Sequence, residues 1–364
     1  MTTSITSLLR PDLRSRSPYG APQIEVPVRL NTNEIPHPLP TDVAEAVAES
    51  LASTVTDLNR YPDRDAVELR RELAAYIGHR MTPRRVWAAN GSNEVLQQLL
   101  QAFGGPGRSA VGFAPSYSMH PILAGATGTQ WHDEPRAADF TLSSARITDA
   151  IRRWQPDVVF LCSPNNPTGT VLDVQTIVDA VEAFSGLVIV DEAYAEFARD
   201  DFVSAVTLLD EYPRLVVTRT MSKAFGMAGA RLGYMIADPA VVDAVQLVRL
   251  PYHLSALTQA AAVAALRHRE ALLTHVDGIR RRRDDLVTEL SQRGLKVAPS
   301  DANFVLFGGM SDASAVWRSL VKRGVLVRDV GIPGWLRVTV GTDAETTEFL
   351  TELSHVLEEE KNSP

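Results

Sequence analysis

The chain has 364 residues, 45 % of them apolar and 22 % charged, a soluble globular balance that excludes disorder and allows about two domains of roughly 100–200 residues each. Lys and Arg number 36 against 44 Asp and Glu, a formal charge of −8, which argues against a nucleic-acid coat and against broad adhesion to acidic membranes. The single cysteine, Cys162, leaves no internal disulfide and no cysteine-cluster metal site, and it fits a reducing cytoplasm.

Residues 1–40 are rich in Pro and Asn and carry no helical period, so an extended N-terminal arm with a short strand over 26–31 is expected. The opening MTTSITSLLR lacks a basic start followed by an apolar stretch, and no secretory leader or membrane span is predicted. Val67, Leu69, Leu73 and Ile77 recur with helical spacing, as do Val95, Leu96, Leu99, Leu100 and Phe103. Short apolar runs at 110–113, 157–162, 187–190 and 215–218 alternate with such helices. Strands that are apolar on both faces and alternate with helices indicate an α/β fold with a mostly parallel central sheet.

Helices are expected from 239 to about 293, with the arginine run 280–283 as a solvated face. Strands at 303–307, 325–328 and 336–340 around a helix at 314–323 then describe an α+β unit. The predicted organisation is an arm (1–40), a large α/β domain (41–275), and a small α+β domain (276–364) packed with the arm. The closing EEEKNSP is expected to fray.

Several motif matches fail on context. Gly105-x-Gly107-x-x-Ala110 follows a helix and enters a strand, the reverse of a dinucleotide fingerprint. Ser319-x-x-Lys322 has no partner motif, and the 8 His residues show no HExxH or paired ligand spacing, so no metal is expected.

Four segments carry chemistry, each just past an apolar strand or opening a helix. In Asn90-Gly91-Ser92-Asn93-Glu94, small and amide residues leave the first helical N–H groups free for a phosphate, with Ser92 and Asn93 at its edge. Taken alone, the segment reads sooner as an ordinary N-cap. Ser163-Pro164-Asn165-Asn166-Pro167-Thr168-Gly169 is a polar loop that can present the Asn166 amide to a ligand, with a cis bond before Pro167 anticipated; a plain turn is the alternative. Asp191 closes a buried strand and needs a cation or donor, such as a pyridinium nitrogen, while Tyr194 can reach the other side of the same ring. In Thr220-Met221-Ser222-Lys223, followed by Arg231, a lysine amine stands among groups able to hold a phosphate, which suits an aldehyde cofactor that is also phosphorylated.

The order and spacing of Asn166, Asp191 and Lys223 resemble the fold-type-I pyridoxal-phosphate aminotransferases of the aspartate aminotransferase superfamily. Within that superfamily, the chain resembles the histidinol-phosphate aminotransferase family from end to end. The resemblance rests on Leu30-Asn31-Thr32-Asn33-Glu34, Arg60-Tyr61-Pro62-Asp63, Pro115-Ser116-Tyr117, the block from Ser222 to Tyr234, Arg328-Asp329 and Trp335-Leu336-Arg337-Val338-Thr339. The arm has Ile35 where the family commonly reads NENP, and Asn93 stands where the family often has Asp.

The resemblance implies pyridoxal 5'-phosphate as cofactor and a small α+β domain beside the main sheet. It also implies a homodimer in which Tyr61 reaches the neighbouring subunit's cofactor phosphate. Lys223, Asp191 and Tyr194 become the catalytic set, with Ser92, Asn93, Tyr117, Asn166, Thr220, Ser222 and Arg231 around the cofactor. Arg337 takes the position that holds a substrate carboxylate, and with Arg328 it forms an anion site for histidinol phosphate and for 2-oxoglutarate or glutamate. Tyr19, Asn31 and Tyr252 are further substrate candidates, and Asn33 and Tyr252 read equally as turn or core residues. The implied function is transamination of histidinol phosphate in histidine biosynthesis, in the cytoplasm. An aromatic amino acid aminotransferase and a decarboxylase of a phosphorylated amino acid are the alternatives. A regulator on this scaffold would need a DNA-binding module, for which a forty-residue arm is too short.

Overall fold

A computed structural model describes residues 5–362. In chain order the main elements begin with Val28–Arg29 (β1), Thr41–Val55 (α1), Val67–Ile77 (α2), Val86–Ala89 (β2) and Ser92–Phe103 (α3). Next come Ser109–Ala114 (β3), Met119–Thr127 (α4), Gln130–Pro135 (β4), Ser144–Trp154 (α5), Val158–Cys162 (β5) and Val174–Glu182 (α6). Leu187–Asp191 (β6), Leu215–Thr220 (β7), Gly233–Ile236 (β8), Pro239–Gln246 (α7), Ala256–Arg267 (α8) and Arg269–Gln292 (α9) follow. The chain closes with Lys296–Val297 (β9), Phe304–Gly308 (β10), Ala313–Lys322 (α10), Val325–Leu326 (β11), Arg328–Asp329 (β12), Trp335–Thr339 (β13) and Asp343–Asn362 (α11).

The central sheet has the order β2-β8-β7-β6-β5-β3-β4. Only β8 runs against its neighbours; the other pairings are parallel. Every residue of β5 and β6 is buried, as expected for interior strands covered by helices on both faces. The apolar run of β6 ends on an acid, Asp191, so the strand itself delivers a carboxylate to the sheet's C-terminal edge. Helix α6 starts where Asp173 accepts from the Thr176 N–H at 2.7 Å, and α7 where Asp238 caps the helix ahead of Pro239.

A second, antiparallel sheet has the order β12-β13-β10-β9. The expected arm strand contracts to β1, which pairs in parallel with β11 and so ties the arm to the C-terminal elements, as anticipated. The single strand expected at 325–328 is two, because β11 pairs with the arm whereas β12 pairs with β13. One apolar cluster runs through both sheets, joining Val188 and Val190 of β6 to Phe304 and Phe307 of β10. Residue 275 lies inside α9, one continuous helix that packs against both the main sheet's surroundings and β10.

Two expectations are corrected. The C-terminus does not fray from residue 358: α11 continues to Asn362, held by buried Phe349, Leu353 and Val356 on one face. The last two residues, 363–364, lie outside the described residues. The arginine run is not uniformly solvated either. Arg283 is 1 % exposed and donates to the Phe197 carbonyl at 2.8 Å, because the inward face of α9 turns it under the loop after β6.

Candidate active site

The carboxyl ends of β5, β6 and β7, the N-terminus of α3, the arm and β12–β13 enclose a cavity of about 560 Å³. It lies where open α/β sheets bind ligands. On one side, Ser92 and Asn93 begin α3 beside Ser222 and Arg231. The Arg231 Nη1 donates to Ser222 Oγ at 3.3 Å and to the Ala228 carbonyl at 3.0 Å. Two glycines let these groups converge. A Cβ on Gly233 would sit 2.0 Å from the Ser92 nitrogen, and one on Gly91 (φ +80°) would sit 2.6 Å from Arg231 Nη2. Thr220 accepts from the Ser222 N–H at 3.1 Å and donates to the Leu232 carbonyl at 3.1 Å, which fixes the turn carrying Lys223.

Lys223 Nζ donates to the Thr32 carbonyl of the arm at 2.9 Å and lies 6.0 Å from the centre of the Tyr194 ring. Loss of water around the amine lowers its pKa to about 8; Arg337 and Arg231 push the same way, and Glu34 opposes them. A neutral amine is therefore accessible near neutral pH.

Asp191 is 1 % exposed. Its Oδ2 meets His120 Nε2 at 3.2 Å, and its Oδ1 accepts from Thr218 Oγ1 at 3.3 Å. Tyr117, on the loop before α4, donates from its hydroxyl to Asn93 Oδ1 at 3.2 Å and packs edge-on against His120. Burial raises the Tyr117 phenol well above its ordinary range. The Tyr194 phenol rises to about 12, mainly through burial. Its oxygen accepts from Asn33 Nδ2 at 2.9 Å and from Asn166 Nδ2 at 3.4 Å. The bond before Pro167 is cis, as anticipated.

Arg337 on β13 crosses the cavity wall. Its Nη1 donates to Asn166 Oδ1 and its Nη2 to the Asn31 carbonyl at 2.8 Å, while its buried Nε has no partner. Among the described residues no carboxylate pairs with this guanidinium, and burial lowers its pKa to about 10. A buried, unneutralised cation of this kind fits an anionic ligand group. Arg328, Tyr19 and Asn31 also line the cavity.

Tyr61 and Tyr252 do not join the site within their own chain. They stack on each other with ring centroids 4.4 Å apart, and Tyr61 is 79 % exposed. Cys162 lines the cavity floor, and burial holds its thiol protonated, with a pKa raised to about 12. The sequence reading did not select His120, the Thr32 carbonyl or Thr218. A lone histidine, a backbone oxygen and a strand threonine carry no spacing signal, although the short step from Tyr117 to His120 would have sufficed once α4 was known.

The donor set suits one phosphorylated, ring-bearing aldehyde. Hydroxyls and a guanidinium gather at a helix N-terminus, and the same cavity is lined by a buried carboxylate, a desolvated amine and a second cation. The sequence matches the aminotransferase class I and II family over residues 25–353. It is 57 % identical to the histidinol-phosphate aminotransferase of Paenarthrobacter aurescens over 96 % of this chain and 95 % of that protein. It is 58 % identical to that of Frankia casuarinae, over 96 % and 90 %. The fold superposes on the crystal structure of histidinol-phosphate aminotransferase from Sinorhizobium meliloti in complex with pyridoxal-5'-phosphate with a TM-score of 0.85, at 25 % identity and covering 97 % of this chain and 98 % of that one. Aspartate aminotransferase from Thermus thermophilus with maleate gives a TM-score of 0.77 at 25 % identity, over 90 % and 91 %. Motif order, cavity chemistry and these likenesses agree: the chain belongs to the aminotransferase class I and II family and, within it, to the histidinol-phosphate aminotransferases.

Proposed function

We propose that the protein transfers an amino group between L-histidinol phosphate and 2-oxoglutarate, giving imidazole acetol phosphate and L-glutamate, with pyridoxal 5'-phosphate as cofactor. The observation that carries the reading is one cavity lined by the desolvated Lys223 amine, a buried carboxylate, Asp191, and a buried cation, Arg337, that has no acidic partner among the described residues. When bound, the cofactor supplies an aldehyde that takes up the amino group and a ring that accepts the electrons freed at the substrate carbon.

The chain's own residues do the rest. Ser92, Asn93, Ser222 and Arg231 would hold the phosphate, with Thr220 bracing their turn. Asp191, kept in place by His120 and Thr218, would hold a proton on the ring nitrogen. Tyr194 and Asn166 would bind the ring's phenolic oxygen, and Tyr117 would cover one face. With a pKa near 8, the Lys223 amine could take a proton from the substrate α-carbon and return it at the carbon of the cofactor's aldehyde group, as base and acid in turn. Arg337 would take the carboxylate of 2-oxoglutarate. With Arg328 and Tyr19 it would also take the phosphate of the other substrate, so that one cationic region serves two different anions.

The division into arm (1–40), large unit (41–275) and small unit (276–364) belongs to the same proposal, with α9 shared between the last two. A homodimer is supported by an exposed apolar face next to the Tyr61–Tyr252 stack, where Leu247 is 86 % and Leu250 72 % exposed. Tyr61 and Tyr252 would then serve a neighbouring subunit. A cytoplasmic location fits the single, buried free cysteine. No described helix is long and apolar enough to cross a membrane.

The test is a steady-state comparison of histidinol phosphate with phenylalanine as amino donor to 2-oxoglutarate. Preference for histidinol phosphate supports the reading. Preference for phenylalanine would make the protein an aromatic aminotransferase, and release of carbon dioxide without glutamate would make it a decarboxylase.

A further inference from the structure

Asn33 belongs to the arm, yet it is 1 % exposed and has a left-handed backbone (φ +56°). Asparagine tolerates that region better than most residues do, and here several contacts hold it there. Its N–H donates to Thr339 Oγ1 at 3.0 Å, and its carbonyl accepts from Asn303 Nδ2 at 3.1 Å. Its Oδ1 accepts from Thr339 Oγ1 at 3.0 Å, and its Nδ2 donates to Tyr194 Oη at 2.9 Å. Thr339 is the last residue of β13 and Tyr194 follows β6, so a single arm residue bridges the two sheets at the cavity wall.

The directions of these bonds are determined. Thr339 has one hydroxyl proton. Its oxygen accepts from the Asn33 backbone, and among the described residues Asn33 Oδ1 is the acceptor that its proton meets. That orients the Asn33 amide with its NH₂ toward Tyr194. On the other side, a guanidinium can only donate, so Arg337 Nη1 orients Asn166 with Oδ1 toward itself and NH₂ toward Tyr194. The Tyr194 oxygen thus accepts twice. Its one proton has no role within the wall and is left for an acceptor in the cavity.

We infer that Asn33 and Thr339 are positioning residues that set Tyr194 as a hydrogen-bond donor into the cavity, with Arg337 and Asn166 setting the same direction from the substrate side. The inference rests on the pyridoxal-phosphate reading above, in which the acceptor is the cofactor's phenolic oxygen. Asn33 therefore need not touch substrate to matter. Arg337 is bonded directly to Asn166, so events at the substrate anion site bear on one of the two amides that aim the tyrosine.

The experiment uses the cofactor-loaded full chain and follows the pH titration of its near-visible absorbance band. In Thr339→Val, a near-isosteric change, Asn33 Oδ1 loses its donor. The amide can then turn that oxygen to Tyr194 and draw the phenolic proton out of the cavity. A cavity oxygen deprived of that donor strengthens proton binding at the attached Lys223 nitrogen, so the midpoint is expected to rise, by about tenfold in proton affinity. Asn33→Gly keeps the left-handed backbone and removes the donor that aims Tyr194 without supplying an oxygen to take its proton, so it should move the midpoint in the same direction but less, and it serves if Thr339→Val does not fold. Thr339→Ser keeps the hydroxyl and should titrate as the parent does.

Parent-like midpoints in Thr339→Val and Asn33→Gly would overturn the inference while leaving the aminotransferase reading intact. So would a Thr339→Ser midpoint displaced as far as that of Thr339→Val, since packing rather than proton direction would then be responsible. A parent protein that develops no band with pyridoxal phosphate would overturn both.

Discussion

His120 and Asp191 meet at 3.2 Å between Nε2 and Oδ2, with both side chains 2 % exposed. The imidazole comes from α4 and the carboxylate from the end of β6, so a helix packed on α3, β3 and β4 holds a buried acid of the cavity. Thr218 supplies a second bond to that carboxylate from the neighbouring strand. If Asp191 is the partner of the cofactor's ring nitrogen, its aim depends on His120. In His120→Leu the carboxylate keeps only Thr218, and loss of a bond to a charged group costs about 1.5–3 kcal/mol. Cofactor affinity should fall by about ten- to a hundredfold, measured by titrating pyridoxal phosphate into the cofactor-free protein. Unchanged affinity would show that Asp191 needs no such support.

Lys223 has a pKa lowered from 10.5 to about 8, and the neutral amine is the form that reacts with an aldehyde. The neutral fraction therefore grows as pH rises, is one half at the lowered value and is nearly complete about one unit above it. The rate of pyridoxal phosphate uptake, followed by absorbance, should climb through about pH 8 and level off about one unit higher. A climb that continues toward 10.5 would mean that the amine is solvated. Lys223→Ala should abolish the band and lower transamination by about 10²- to 10⁴-fold or more, the usual reach of one acid–base group.

Arg337 holds Asn166 and the Asn31 carbonyl with its two terminal nitrogens, and a lysine cannot reproduce that fork. Arg337→Lys should raise KM for 2-oxoglutarate by about ten- to a hundredfold, on the basis of about 1.5–3 kcal/mol for a hydrogen bond to a charged group. Arg328→Ala should weaken the phosphorylated donor more than glutamate, because Arg328 lines the same cavity without joining the Asn166 network. Equal losses for both substrates would remove Arg328 from the phosphate site.

Behind the cavity, Arg219 donates to Glu192 from Nε at 3.1 Å and from Nη2 at 2.8 Å, and it lies 3.8 Å from Glu196. Glu192 and Glu196 outweigh the cost of burial and raise the guanidinium's pKa. Burial holds the Glu196 carboxyl above its usual range, and Tyr76 donates to it at 3.1 Å. Arg219→Met would strand two buried acids, and the expected loss is about 3–5 kcal/mol of stability in denaturant unfolding. Adding Glu192→Gln should recover part of it. A loss within about 0.5 kcal/mol, the usual range for surface substitutions, would mean that the network is effectively solvated.

The parts of this fold legible in the sequence are those whose burial is uniform along a segment. The runs that became β5, β6 and β7 begin with the apolar stretches VVFLC, LVIV and LVV, and the polar residues that follow them marked the cavity. Strand β4, Gln130–Pro135, gave no such sign. It is an edge strand of mixed polar residues, held by parallel pairing to β3 alone. Helix α11 was missed although Phe349, Leu350, Leu353, Val356 and Leu357 recur at helical spacing, because the acidic run at its end reads as a solvated tail. Arg283 was misjudged because a run of four arginines says nothing about which of them faces inward.

Residue type and order alone determined the chemistry available: an amine in Lys223, an acid closing a buried strand in Asp191, amides at Asn93 and Asn166, and arginines at 231, 328 and 337. Such choices are local, because a strand end or a helix start sets what the next few residues can offer. Tertiary structure decided how those groups are held. Asn33 reaches Tyr194 across a sequence separation of 161 residues, and Arg337 reaches Asn166 across 171. His120 reaches Asp191 because α4, packed on α3, β3 and β4, carries it to the end of β6. A net charge of −8 excluded broad classes of partner, but it is a sum over the chain. Only folding gathers Lys223, Arg231, Arg328 and Arg337 at one cavity, where desolvation turns scattered positive charge into an anion site and one of those charges into an amine that can lose its proton near pH 8.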